Sequence, residues 1–311
     1  MSSAIAVPPQ LADVPGRGFE LARAALRERS VRFGLITVGV VLLAALGAPL
    51  VALLVGHGAT EQFHSIALGA DGIPVGPNGQ FWLGADGNGR DVLVRTLYGA
   101  RTSLLVGIPT TTLAMLIGTA VGVAAGFYGG RTDRILSQLT DVVLSFPFVV
   151  TALSLVTLNR AADGANIVSP TILVIIVISL FAWTYFARLT RGLVLDIRSH
   201  AFVEASITLG AGRTRIIVGD ILPCIAPSVI VYWAVQLPQN IIAESTLSFI
   251  GVGISAPQPS LGNIISEAQA SGLYQVQPWY LIAPIAVLIV IVVGFNTIST
   301  GLRNVLDPHS R

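Results

Sequence analysis

The sequence predicts an all-α polytopic membrane protein with six transmembrane helices. Three observations carry this. Only 11% of its 311 residues are charged and 53% are apolar, against about a quarter charged in an ordinary soluble chain. Mean hydropathy is +0.77, too apolar for a solvated disordered chain and too poor in charge for two water-soluble domains. The apolar residues also gather in six runs, each long enough to cross ~30 Å of hydrocarbon.

Taken in order, residues 1–31 are polar and read as a cytoplasmic N-terminal segment. The run from Phe33 to Val55 is longer than the 7–15-residue apolar stretch of a cleavable signal. It reads as a retained first span, residues 32–56. The glycine-rich stretch 57–98 is too polar for lipid and forms an extracytoplasmic loop. Runs at about 102–126, 136–158, 168–187, 221–250 and 279–300 supply spans two to six within a core of residues 99–302. Residues 303–311 form a tail. An even number of spans places both termini on one side, and the arginines choose it. Fourteen lie in the termini and the loops on their side, four in the opposite loops, so the termini are cytoplasmic in the plasma membrane.

Composition also removes chemistry. All 18 basic residues are arginine, so the chain has neither a P-loop lysine nor a Schiff-base lysine. Cys224 is the single cysteine, which excludes an internal disulfide and cysteine-rich metal sites. His57 and His64 are near in sequence but lie in glycine-rich or apolar flanks, and an ordinary loop is the better reading than a metal site. The segment Asp86-Gly87-Asn88-Gly89-Arg90-Asp91 starts like a calcium loop but lacks the acid at the fifth position and the closing glutamate. The stretch from Arg90 to Arg101 reads instead as a short interfacial helix. No cofactor, metal or catalytic residue is expected in this chain.

Two spans carry local signals. The run 221–250 contains Pro223, Pro227 and Pro238, and proline removes a backbone donor, so a broken span is expected there. Gly118, Gly122 and Gly126 repeat every four residues, which predicts a close helix–helix face.

Between spans four and five, Phe202 to Thr208 can form a short helix. Gly210 and Gly212 allow a turn, and Arg213 to Asp220 form a second amphipathic piece before Leu222-Pro223. This helix–turn–helix knuckle presents Phe202 and Leu209 as apolar anchors, with Glu204 free to meet a basic partner. A loop lying on the lipid surface is the alternative from these residues alone.

Glu204-Ala205-Ser206, Gly210 and Ile221-Leu222-Pro223 resemble the EAA loop of ABC-transporter permeases. Further stretches are similar to the C-type subunit of oligopeptide and dipeptide permeases: Trp82 to Asp86, Gly89 to Leu93, Tyr98 to Leu104, Gly126 to Gly130, Glu244 to Gly253 and Gly301 to Pro308. The resemblance covers roughly residues 30 to 311. It departs at Ser206, where alanine is usual, and in a shortened Ile-Leu-Pro end.

The resemblance implies a type I ABC importer permease fold with a cytoplasmic coupling helix in the loop 200–223. It implies a transmembrane subunit with no catalysis of its own. Its partners would be a second homologous permease subunit, two ATP-binding subunits that hold ATP and Mg, and an extracytoplasmic substrate-binding protein. The cargo implied is peptides or a related small solute. Phe202, Glu204, Ala205, Ser206, Leu209, Gly210 and Ile216 would couple to the ATPase. Asp141 and Glu244, acids within or at the edge of apolar runs, are candidates for the translocation path or gate. For each, a hydrogen-bonded carboxylate that fixes helix register is the other reading, and Arg188 is a candidate partner of Asp141. An ion-coupled secondary transporter or channel is the alternative function, because a broken span can hold a coupling-ion site.

Overall fold

The computed structural model describes Arg23 and residues 26–159 and 167–306. Most of the expected N-terminal segment, Arg160 and residues 307–311 of the expected tail lie outside the described residues. Among those described, the only β pairing is two isolated bridges, Leu68 with Pro74 and Ala85 with Asp91.

The first apolar run forms two helices, α1 (Arg29–Leu46) and α2 (Ala48–Val55), interrupted at Gly47. The chain then enters an irregular segment and rises into α3 (Val92–Tyr128), a helix of 37 residues. At 1.5 Å per residue it measures about 55 Å, nearly twice what a bilayer core needs. It begins ten residues before the expected span, so the stretch read as loop and interfacial helix is its own first turns. Asp91 caps it by accepting from the Val94 backbone N–H at 3.1 Å.

The expected third span is not one straight helix. It divides into α4 (Gly130–Ser145) and α5 (Phe148–Leu158), bent by 80° at Phe146-Pro147. Proline crowds the residue before it out of the helical region, and Phe146 has ψ 131°. Among the described residues, five helices are long and apolar enough to cross a membrane, and the bent pair makes a sixth crossing when counted as one.

Helix α6 (Pro170–Arg198) starts with proline in its first turn, where no backbone donor is needed. Among the described residues it makes the most extensive helix pair with α3, and the predicted glycine face is the reason. A Cβ on Gly118 would lie 2.3 Å from the Trp183 carbonyl oxygen, and one on Gly122 2.6 Å from that of Ala187. One on Gly126 would lie 2.8 Å from the Val194 Cβ. Only glycine lets the two backbones approach this far.

After α6 come α7 (Ala201–Thr208), a short turn, and α8 (Leu222–Phe249). The expected break in this span is absent: α8 is continuous through Pro227 and Pro238. The irregularity lies just before it, in a π-helical turn at Ile216–Ile221. Helix α9 (Leu261–Ser271) packs on α8 and α3, and α10 (Trp279–Leu306) returns to pair with α1. The clusters that join these helices set the frame. One holds α3, α6 and α8 together around Trp183, Phe186 and Ile225; another holds α1, α8 and α10 around Val38, Leu237 and Phe295.

Candidate functional site

The knuckle forms as the glycines predict. Helix α7 ends with the Gly210 N–H donating to the Ile207 carbonyl at 3.0 Å and the Ala211 N–H to that of Ser206 at 3.0 Å. That pair of bonds is a Schellman closure, and Gly210 has φ +77°, a left-handed conformation that costs a side-chain-bearing residue about 1–2 kcal/mol. Behind the turn, Val203, Ile216 and Ile221 are buried in one cluster with Phe186, Ala187 and Ile225. The knuckle is thereby welded to the helix bundle. The Arg213 guanidinium sits 5.7 Å from the Tyr128 ring centre at the end of α3, a second tether.

What the knuckle offers outward differs from expectation at one residue. Leu209 is 87% exposed, and Phe202, Glu204, Ala205 and Gly210 are exposed, with Ser206 half-buried. Ile216 is only 2% exposed. Its side chain is consumed by the cluster that supports α7 from behind, so it anchors the knuckle and presents no surface to a partner.

Asp141 and Glu244 have different fates. Asp141, on α4, accepts from Arg188 Nη2 of α6 at 2.8 Å, as the pairing expectation had it. Both side chains are more than half exposed. One turn along α6, Arg191 grips Asp133 with two guanidinium nitrogens, Nη2 at 2.7 Å and Nε closer still. Glu244 is fully buried inside the chain. It accepts from Ser103 of α3 at 2.7 Å and from Ser248 at 2.8 Å. The Ser248 hydroxyl oxygen in turn accepts the Ile254 N–H at 3.0 Å. These bonds fasten α3, α8 and the turn after α8 to one another.

At the far end of α3 from the knuckle lies a charged centre that the sequence did not announce. Asp86 accepts from the backbone N–H groups of Asn88 at 2.8 Å and Arg90 at 3.0 Å, and from Arg90 Nε at 2.6 Å. Arg95 Nη1 lies 3.2 Å from the same carboxylate. Both arginines then reach Glu267 of α9, at 2.5 and 2.9 Å, and Tyr280 of α10 donates to it at 3.3 Å. Burial raises the Asp86 pKa above its ordinary value; its hydrogen bonds and the Arg90 charge oppose the rise without cancelling it. The apparent calcium loop is thus a guanidinium clasp. Beside it His57 Nδ1 is 2.8 Å from Asp91 and its ring stacks on Phe81, while His64 pairs with Gln62. The two histidines do not meet at one site.

Residues 118–311 match the model of the binding-protein-dependent transport system inner membrane component family. The chain is 40% identical over 233 residues to the oligopeptide transport system permease protein OppC of Haemophilus influenzae, covering 75% of this chain and 72% of that one. It is 34% identical to the glutathione transport system permease protein GsiD of Pectobacterium atrosepticum, covering 76% of each. It is also 34% identical to OppC of Bacillus subtilis, covering 76% of this chain and 74% of that one. Among solved structures, an inward-facing conformation of the MetNI methionine ABC transporter superposes with a TM-score of 0.55 at 19% identity. It covers 67% of this chain and 93% of that one, a likeness of fold. With long apolar helices, a glycine-closed knuckle between two of them and these relatives, the chain belongs to the binding-protein-dependent transport inner membrane component family, as a multi-pass, non-catalytic permease subunit of an ABC importer.

Proposed function

We propose that this permease imports peptides, or a related small solute, and that the knuckle is its coupling helix. Oligopeptide and glutathione permeases among its relatives support the cargo class. In this reading the chain pairs with a second, homologous permease and receives substrate from an extracytoplasmic binding protein. Two separate ATPase subunits bind ATP and Mg and drive the cycle. The termini and the knuckle face the cytoplasm, in keeping with the arginine distribution.

The observation that carries the reading is the asymmetry of the knuckle. It buries Val203 and Ile216 against the spans and leaves Leu209 and Phe202 uncovered. Covering one such leucine contributes about 1.5–3 kcal/mol, whereas a rim ion pair through Glu204 contributes about 0.2–1 kcal/mol. Apolar contact would hold the ATPase and the carboxylate would orient it. Closure of the ATPases then pulls on a turn that cannot slip, because its inner face belongs to the same cluster as α3, α6 and α8. The spans tilt as a packed unit between two arrangements.

Reconstitution with the partner subunits tests this. Gly210→Pro cannot adopt φ +77° and deletes the N–H that donates to Ile207, and Glu204→Lys reverses the orienting charge. Both variants are expected to assemble while losing substrate-stimulated ATP hydrolysis. Normal transport by both would overturn the coupling role.

A further inference from the structure

The geometry points to Asp141 and Arg188 as a docking station for the two charged ends of a peptide in transit. The inference rests on the peptide reading above and adds to it a place and a recognition chemistry. Between α3, α4 and α6 lies a cavity of about 300 Å³, lined in part by Gly122, Ser137, Thr140, Asp141, Arg188 and Arg191. That volume is at the lower end for small-ligand pockets and is of the order of a dipeptide.

The two ion pairs at this cavity are unequal. Arg191 holds Asp133 through two nitrogens, and the Asp133 side chain is 21% exposed. That pair fastens α4 to α6. The Arg188–Asp141 pair makes a single contact, with side chains 53% and 67% exposed. An exposed pair of this kind contributes about 0–1 kcal/mol, so a ligand with charges of its own displaces it at little cost. Arg188 lies ten residues before the end of α6, about 15 Å along the helix, just past the end of the apolar run. Ionisable groups at such a level face protein or water, not lipid. Opening the pair leaves one carboxylate and one guanidinium on the same wall. An α-ammonium would donate to Asp141, and an α-carboxylate would accept two parallel bonds from Arg188. The Asp133–Arg191 pair stays shut and keeps the two helices in place. The ligand class is a short zwitterionic peptide with both termini free.

The test uses the complete purified transporter without its binding protein, and three probes: alanyl-phenylalanine, its N-acetyl form and its C-terminal amide. Binding is followed by saturation-transfer NMR in the wild type, Asp141→Asn, Arg188→Gln and Arg188→Lys. The expected pattern is crossed. Asp141→Asn weakens the free dipeptide and the amide about tenfold and leaves the N-acetyl form unchanged. Arg188→Gln weakens the free dipeptide and the N-acetyl form and leaves the amide unchanged; Arg188→Lys restores part of the loss. Equal weakening of all three probes, or none, would overturn the station, since a merely structural pair does not distinguish which terminus is blocked. The cargo reading is scored separately by what the co-purified binding protein retains. Peptides on the binding protein without the crossed pattern remove the station alone. A non-peptide ligand there removes both.

Discussion

Arg95 and Glu267, 172 positions apart, form an ion pair at 2.9 Å between α3 and α9, with the arginine buried and the glutamate a quarter exposed. Arg90 shares the same carboxylate oxygen, so one glutamate holds two guanidinium groups in place, with Asp86 completing the charge balance. This clasp ties the segment before α3 to α9 and α10, at the end of the molecule opposite the knuckle. Removing one partner of a fully buried pair costs about 3–5 kcal/mol; here Glu267 is partly exposed and Asp86 stays beside Arg95, so the loss is smaller than that. Glu267→Gln is therefore expected to lower the unfolding temperature of the purified complex. Glu267→Gln combined with Arg95→Leu should recover part of the loss, and an additive double variant would speak against the clasp.

The same centre sets a pH trend. Asp86 has its pKa raised above 3.8 by burial, so the folded chain holds this proton more tightly than the unfolded one. Its contribution to stability is full below the ordinary value and falls away as pH rises through the elevated folded value. Relative to Asp86→Asn, the wild type should lose unfolding temperature as pH rises through that interval. Parallel curves for the two proteins would show that Asp86 does not titrate this way.

Glycine at the α3–α6 contact is a steric requirement. A Cβ at Gly122 would meet Thr190 Cβ at 2.7 Å as well as the Ala187 carbonyl, and overpacking of this kind costs about 1–3 kcal/mol. Gly122→Ala should reduce stability and assembly. Gly39→Ala, where a Cβ meets nothing within 4 Å, should be neutral or slightly stabilising, because alanine favours the helix. Thermal unfolding of the two variants side by side checks both.

Glu244 acts through acceptance of hydroxyl hydrogens. Glu244→Gln keeps a carbonyl oxygen for Ser103 or Ser248 and should assemble and transport close to wild type. Glu244→Leu strands both hydroxyls, each buried, and should cost about 1–3 kcal/mol for each group left unsatisfied. Equal behaviour of the two variants in expression and transport would contradict a hydrogen-bonding role.

The features that sequence made legible are those written in local spacing. Apolar runs gave the spans, Gly118, Gly122 and Gly126 gave the tightest helix contact, and Gly210 gave the turn of the knuckle. Asp141 found Arg188 because each was a rare charge near the edge of an apolar run. Three matters were hidden for physical reasons. Ile216 looks like its neighbours in an amphipathic stretch, and only the π-helical turn decides that it points into the bundle. The prolines misled in both directions: Pro227 and Pro238 sit inside a continuous α8, while Pro147 breaks the third span. The difference lies in what packs around each helix, which spacing does not encode. The clasp depends on Glu267, whose partners are 172 and 177 positions away. A buried need for counter-charge at Arg90 and Arg95 was the available signal, with nothing to name the acid that meets it.

Coupling through the knuckle is most directly tested by cross-linking. With Cys224 replaced by serine and Leu209→Cys introduced, a short bismaleimide is added to the complex in membranes, where the partner ATPase carries a cysteine on its permease-facing surface. A permease–ATPase adduct whose yield changes on adding ATP is the predicted result. Labelling of the introduced thiol from the extracytoplasmic side of sealed cells, with no adduct in any nucleotide state, would contradict it.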